Sequence, residues 1–391
     1  MRTRSLKVFA AVGLATAVIA ALSGCGTSGA GGGAASGPLD KLGKNESTLS
    51  VLAWPGLAED GSTDPSIDWV KPFEKETGCQ VTVKTFGTSD EAFNLMKTGN
   101  YDVVSASGDA SLRLVASGVV QPVNMKLLKN YAGVFDYLKD KAWNTVDGKN
   151  YGVPHGYGAN VLLYDKTAFP TAPTSWDVVF DKASEHQGKV TAYDSPIYIA
   201  DAAVYLMAHK PELGIKNPYA LDQKQFDAAV QLLKEQKPNV SEYWADYLKE
   251  VQSFKSGNTV VGTSWQVMQN TLEGEGGNTG VVLPSEGATG WSDTWMISSK
   301  TKSPNCSYAW LDYIISPKVN AQATAYFGEA PASQAACDLR DDCAVYHGGD
   351  ADYANKIWYW TTPIEKCLDG RTDVKCVDYA AWTKAWQEIK G

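Results

Sequence analysis

From residue 48 onward the chain alternates short apolar runs with longer stretches whose apolar residues recur at helical spacing. The run T-L-S-V-L-A-W at 48–54 predicts a strand ending at Trp54, because Pro55-Gly56 breaks it. A polar loop to Pro65 precedes an amphipathic helix from Ile67 to Thr77, which Gly78 stops. Val81 to Phe86 and Tyr101 to Ser105 predict two more strands, and Ser89 to Lys97 and Ala110 to Ser117 the helices that follow them. Strands alternating with helices at this spacing indicate an α/β layer built on a mainly parallel sheet.

Beyond a helical stretch around Val134 to Trp143, residues 151–164 read Y-G-V-P-H-G-Y-G-A-N-V-L-L-Y. This is a long extended run in which Gly152, Gly156 and Gly158 permit bending. A second α/β block, from Trp176 to about Val282, has strands at Lys189 to Tyr193 and Thr259 to Thr263 and helices at Tyr198 to Ala208 and Gln223 to Glu235. Chain passages between the blocks near residue 157 and again near 290 predict a hinge, with a cleft between two lobes. Trp358, Tyr359 and Trp360 are expected to pack the C-terminal segment.

The ends add a location. Arg2, Arg4 and Lys7 are followed by apolar or small residues from Val8 to Leu22, too short for the ~20 apolar residues of a spanning helix. Leu22-Ser23-Gly24-Cys25 resembles the bacterial lipobox, so residues 1–24 are expected to be a lipoprotein signal peptide and Cys25 the lipidated residue. Residues 25–45 then form a Gly/Ala/Ser tether; the coil over 26–38 has a dimension of ~20 Å. The mature protein is expected outside the cytoplasmic membrane, at the cell surface or in a periplasm, held there by lipid. The net charge of −9 becomes −12 when Arg2, Arg4 and Lys7 leave. With no basic runs, that sign excludes a nucleic-acid footprint.

Six cysteines remain besides Cys25: Cys79, Cys306, Cys337, Cys343, Cys367 and Cys376. An even number in an oxidising compartment indicates disulfides, and the close spacings favour Cys337 with Cys343 and Cys367 with Cys376, leaving Cys79 with Cys306. No C-x-x-C occurs and His155, His186, His209 and His347 lie far apart, so no metal is expected.

The stretch G-W-S-D-T-W-M-I-S at 290–298 carries the candidate chemistry. If it is extended, Trp291 and Asp293 point to one side. A ring face beside a carboxylate suits an organic cation, the ring contributing ~0.5 to 2 kcal/mol. No G-x-S-x-G, H-E-x-x-H or Walker loop is present, which leaves no familiar hydrolase, metalloprotease or nucleotide-hydrolase motif.

The motifs in order resemble the spermidine/putrescine-binding family of ABC-transporter solute-binding proteins over nearly the whole mature chain. They are A-W at 53–54, F-E-K-E-T-G at 73–78, Y-D-V-V at 101–104, Y-G-V-P at 151–154, T-S-W-D at 174–177, K-P-N-V at 237–240, G-T-S-W at 262–265, G-W-S-D-T at 290–294 and F-G-E-A-P-A-S at 327–333. The resemblance implies an α/β two-lobe fold of the type II periplasmic-binding-protein kind, a hinge, and a ligand cleft at the interface. It places residues 46–157 and 291–334 in the first lobe and residues 158–290 and 335–391 in the second.

The resemblance also implies substrate-binding roles. Trp54 and Trp265 fall on pocket aromatics, Trp291 and Asp293 on the family's tryptophan and amine-binding aspartate, and Ser107 on the cleft loop. Asp109 and Glu329 replace tyrosines, Asp194 keeps one of a usual pair of acids, and Tyr157 is a further pocket candidate. Leu57 stands about where a pocket tyrosine is expected. A monomeric importer subunit follows, without cofactor, delivering a polyamine to ABC permease subunits. Three alternatives remain: the same fold binding a mono-amine, γ-amino acid or quaternary amine; a surface hydrolase of glycosides using Asp293 and Glu329; and an adhesin-like lipoprotein.

Overall fold

The computed structural model describes residues 37–391, so the expected signal peptide, Cys25 and the first part of the tether lie outside the described residues. The sequence predicts a tether as far as residue 45, but the chain is held from Gly37 onward. Gly37 N donates to Gln121 (3.2 Å), Asn124 donates to the Leu39 carbonyl (3.0 Å), and Leu39 packs against the core.

Three larger sheets share the backbone among the described residues, beside a two-stranded pair of Thr145–Val146 and Lys149–Asn150. The six-stranded sheet sets Gln80–Thr85, Thr48–Ala53, Val103–Ala106, Thr294–Ser298 and Val120–Gln121 side by side, with Gly152–Pro154 also paired to Thr294–Ser298. The first three strands are parallel, with Val51 opposite both Val83 and Val103, and the later ones antiparallel. Because strand side chains alternate, Val51 joins a core with Phe73, Trp310 and Leu311, while Leu52 on the other face joins Val104, Ala110 and Leu114. The five-stranded sheet runs Val240–Trp244, Val190–Tyr193, Val261–Ser264, Val161–Asp165, Thr279–Val282. Its Leu162 and Leu163 likewise enter separate cores.

The third sheet bridges these two. It orders Ala330–Pro331, Gly156–Ala159, Ala288–Trp291 and Ile357–Tyr359. The extended run 151–164 is therefore three strands, one in each sheet, linked by His155 and Asn160. The stretch 288–298 crosses beside it as two strands joined at Ser292 and Asp293. The crossings are stitched together by His155 N to Asp293 O (2.7 Å) and Asn160 N to Thr289 O (2.8 Å).

Helix Val70–Thr77 ends as expected at Gly78, in the left-handed region with φ 76° and its N–H on the Glu74 carbonyl. The helical stretch around Val134 to Trp143 is not a helix. Val134 pairs with Ser333 in an antiparallel bridge, Phe135 N donates to Ala332 O (2.9 Å), and Asp140 takes a positive φ of 55°, so tertiary hydrogen bonds replace the local ones. Disulfides join Cys79 to Cys306, Cys337 to Cys343 and Cys367 to Cys376. Among the described residues no helix is long and apolar enough to cross a membrane.

Candidate functional site

A cleft of about 880 Å³ opens where strands of all three sheets end. Its aromatic residues follow from that placement. Tyr193 and Trp291 are the last residues of their strands, and Trp54, Trp265 and Trp360 each follow directly after one. A side chain at a strand's carboxyl end projects past the packed core into whatever space the next turn leaves.

Four of these rings close a cycle. Tyr193 stacks on Trp360 (5.5 Å between centroids, 8° between planes), Tyr193 meets Trp265 at 5.6 Å, Trp265 meets Trp291 at 4.9 Å, and Trp291 meets Trp360 at 5.9 Å. Trp54 and Phe86, 4.5 Å apart, form a further wall. Each indole is anchored through its N–H. Trp54 donates to Ser107 (3.1 Å), Trp265 to Asn160 (2.9 Å), Trp291 to Glu329 (3.0 Å) and Trp360 to Thr289 (3.4 Å). Buried Asp201 accepts from both Asn160 (3.2 Å) and Thr289 (3.0 Å), so one carboxyl fixes the supports of two rings. Burial raises the Asp201 pKa to about 7.

Two close approaches require glycine. A Cβ on Gly158 would run into the Trp291 ring, and one on Gly108 would run into the Trp360 carbonyl oxygen. Neither is compatible with the ring positions described.

Asp293 and Asp109 supply the negative charge. Asp293 is 2% exposed and accepts from Ser107 Oγ at 2.6 Å through Oδ1; among the described residues no donor reaches its Oδ2. Asp109, in the first turn of helix Gly108–Ala116, accepts from Ser89 Oγ (2.8 Å) and lies 3.5 Å from the Tyr379 hydroxyl. Desolvation raises Asp293 to about 7, with Asp109 adding to it, and raises Asp109 to about 6. Arg113 pairs with Asp90 (2.6 Å). Neither Asp109 nor Asp293 forms an ion pair among the described residues.

The remaining candidates divide. Trp54, Ser107, Asp109, Asp194, Trp265, Trp291 and Asp293 line this cleft, whereas Tyr157 and Glu329 do not. Both border a small cavity of about 10 Å³ behind Trp291. Tyr157 donates to the His347 carbonyl (2.8 Å), and Glu329 holds the Trp291 N–H, with its Oε1 3.8 Å from His155 Nε2. Burial pushes Glu329 well above the usual carboxylate range and His155 down to about 3. Glu329 is thus a support for a ring, and the facing pair of Asp293 and Glu329 that hydrolysis needs is not formed across the cleft. Leu57 is buried outside the cleft, where its carbonyl accepts from Trp69 Nε1. Asp194 lines the cleft already paired, with Lys390 Nζ at 2.6 and 2.8 Å and Trp386 Nε1 at 3.0 Å.

Sequence reasoning misses Phe86, Tyr193, Trp360 and Lys390. Phe86 and Tyr193 each close a predicted strand, the same signal that singles out Trp54. Trp360 reads from the sequence as packing; its strand Ile357–Tyr359 joins a sheet only through parallel pairing with Ala288–Trp291.

A family model described as bacterial extracellular solute-binding protein matches residues 68–344. A putrescine/agmatine-binding protein of Pseudomonas aeruginosa is 27% identical over 300 residues, covering 71% of this chain and 79% of that protein. The putrescine-binding periplasmic protein PotF of Escherichia coli is 24% identical over 372 residues, covering 89% and 93%. The spermidine/putrescine ABC transporter substrate-binding protein PotD of Streptococcus pneumoniae superposes with a TM-score of 0.67 at 18% identity, over 88% of this chain and 97% of that one. At that identity the likeness is one of fold.

Proposed function

The chain belongs to the bacterial extracellular solute-binding proteins, and from that membership we propose that it is the capture subunit of an ABC importer whose cargo is an aliphatic amine of the polyamine class. It is a binding protein for a small molecule rather than an enzyme. The relatives named for putrescine and agmatine support the class of cargo.

The observation that carries this reading is Asp293, a buried carboxylate with one oxygen held by Ser107 and the other without a donor among the described residues, beside the ring of Tyr193, Trp265, Trp291 and Trp360. Leaving a buried charge unpaired costs ~3 to 5 kcal/mol, about half of the ~8 kcal/mol of a micromolar complex. An ammonium group supplies the missing partner, and the ring faces take its alkyl chain. Asp109 reinforces the field at the same place.

The crossing segments at 155–160 and 288–294 act as the hinge between residues 46–157 with 291–334 and residues 158–290 with 335–391. A ligand touching both lobes favours the closed state. The subunit is monomeric, carries lipid at Cys25, and passes its cargo to membrane permease subunits. Calorimetry with putrescine and its mono-substituted derivatives tests the reading, with Asp293→Asn as the control. The expected result is that the wild-type protein binds such an amine and the variant does not; no heat from any amine would refute it.

A further inference from the structure

The second-lobe acid of the cleft is not free. Asp194 follows strand Val190–Tyr193, and both of its oxygens are taken by Lys390 Nζ, at 2.6 and 2.8 Å, while Trp386 Nε1 adds a third contact at 3.0 Å. Lys390 ends helix Tyr379–Lys390, which is packed through Trp382, Trp386 and Ile389, with Trp386 one turn before Lys390 on the same face, so the helix presents the ammonium from a fixed base. Lys390 is the only lysine or arginine among the described residues that line the cleft.

We propose that Lys390 is a tethered ammonium filling the place of a ligand's second amine, so that this chain selects cargo with one protonated amine joined by an aliphatic chain to a carbonyl-bearing end. The inference rests on the reading of Asp293 as the ammonium site. At that end the ligand's charge is met by Asp293 and Asp109. At the other, a second ammonium meets an acid already neutralised and a lysine of like charge. A carbonyl oxygen instead accepts from Lys390, which keeps one N–H to spare beyond its two bonds to Asp194. An amide end, as in a mono-acylated diamine, and a carboxylate end, as in an ω-amino acid, share this chemistry.

Calorimetry on the full mature chain with putrescine, N-acetylputrescine and 4-aminobutyrate separates the possibilities. The wild-type protein is expected to bind one of the two carbonyl-ended ligands at least tenfold more tightly than putrescine, and which of them binds identifies the amide or the carboxylate. Lys390→Met is expected to shift the ratio toward putrescine by tenfold or more. Lys390→Gln, which keeps a hydrogen-bond donor without the charge, guards against loss of folding in the first variant. Putrescine binding as tight as the better of the two carbonyl-ended ligands, or a ratio unmoved in both variants, overturns the proposal while leaving the amine site intact. Failure of all three ligands to bind the wild-type chain overturns both.

Discussion

Acidification should weaken amine binding, and the size of the effect follows from where Asp293 is buried. In the unliganded cleft, desolvation holds the Asp293 pKa at about 7. An ammonium ligand binds the ionised form, so the proton must leave before or as the amine enters. Protonation competes with the ligand by a factor of one plus ten to the power of pKa minus pH. That factor is close to unity at pH 8 and about 100 at pH 5, a change of about 2.7 kcal/mol. Asp109, held at about 6, steepens the fall below that pH. The aliphatic ammonium stays charged throughout, so the ligand adds no slope of its own. Titration calorimetry at pH 5, 6, 7 and 8, in buffers of differing ionisation enthalpy, reads both the affinity and the proton released. Affinity that is flat over this range, or that rises toward acid, refutes the assignment of Asp293 as the ammonium's partner.

Burial of the same charge has a cost in the empty protein. A carboxyl whose folded pKa is raised contributes fully only below its unfolded value near 3.8, and that contribution is lost as pH rises through about 7. Asp293→Asn should therefore stabilise the unliganded fold at pH 8 by about 2 to 4 kcal/mol and leave it unchanged near pH 3.5, as thermal denaturation would show; a destabilised variant at pH 8 would contradict this. Trp360→Leu removes one ring of the cycle and is expected to weaken amine binding by about 0.5 to 2 kcal/mol in calorimetry, whereas undiminished affinity would return Trp360 to a packing role. Tyr157→Phe should leave ligand affinity within about twofold, because its hydroxyl serves the His347 carbonyl behind the cleft. Replacing Cys79 and Cys306 together by serine opens a link across 227 residues and should lower stability by about 3 to 5 kcal/mol in urea titration.

The pattern along the chain is enough to place most strands and helices of the first block, because strand alternation and helix punctuation are local. Pro55-Gly56 breaks the chain just past a strand that ends at Ala53, and Gly78 ends a helix, for reasons that need no tertiary partner. The segment 134–143 has helical composition, yet its backbone bonds to residues 332–333, far away in sequence, and no local signal announces such a partner.

The candidate site divides on the same line. Asp293, Trp291, Trp54 and Trp265 are legible because each lies beside a strand end within a motif, and Ser107 because it falls on the loop after a strand. Glu329 and Tyr157 are legible as polar groups near the cleft, but the face they present depends on the Trp291 ring standing between them and the opening. The resemblance places Asp194 among the substrate-binding acids, and Lys390, 196 residues away, already pairs with it. Sequence alone determined that Trp54 stands at the end of a strand and that Trp291 and Asp293 lie two apart in an extended stretch, since alternation and turn chemistry act over a few residues. Only the tertiary structure decided which acids keep an open oxygen, because a charge is matched or left unmatched by whatever the folded chain brings within hydrogen-bond reach.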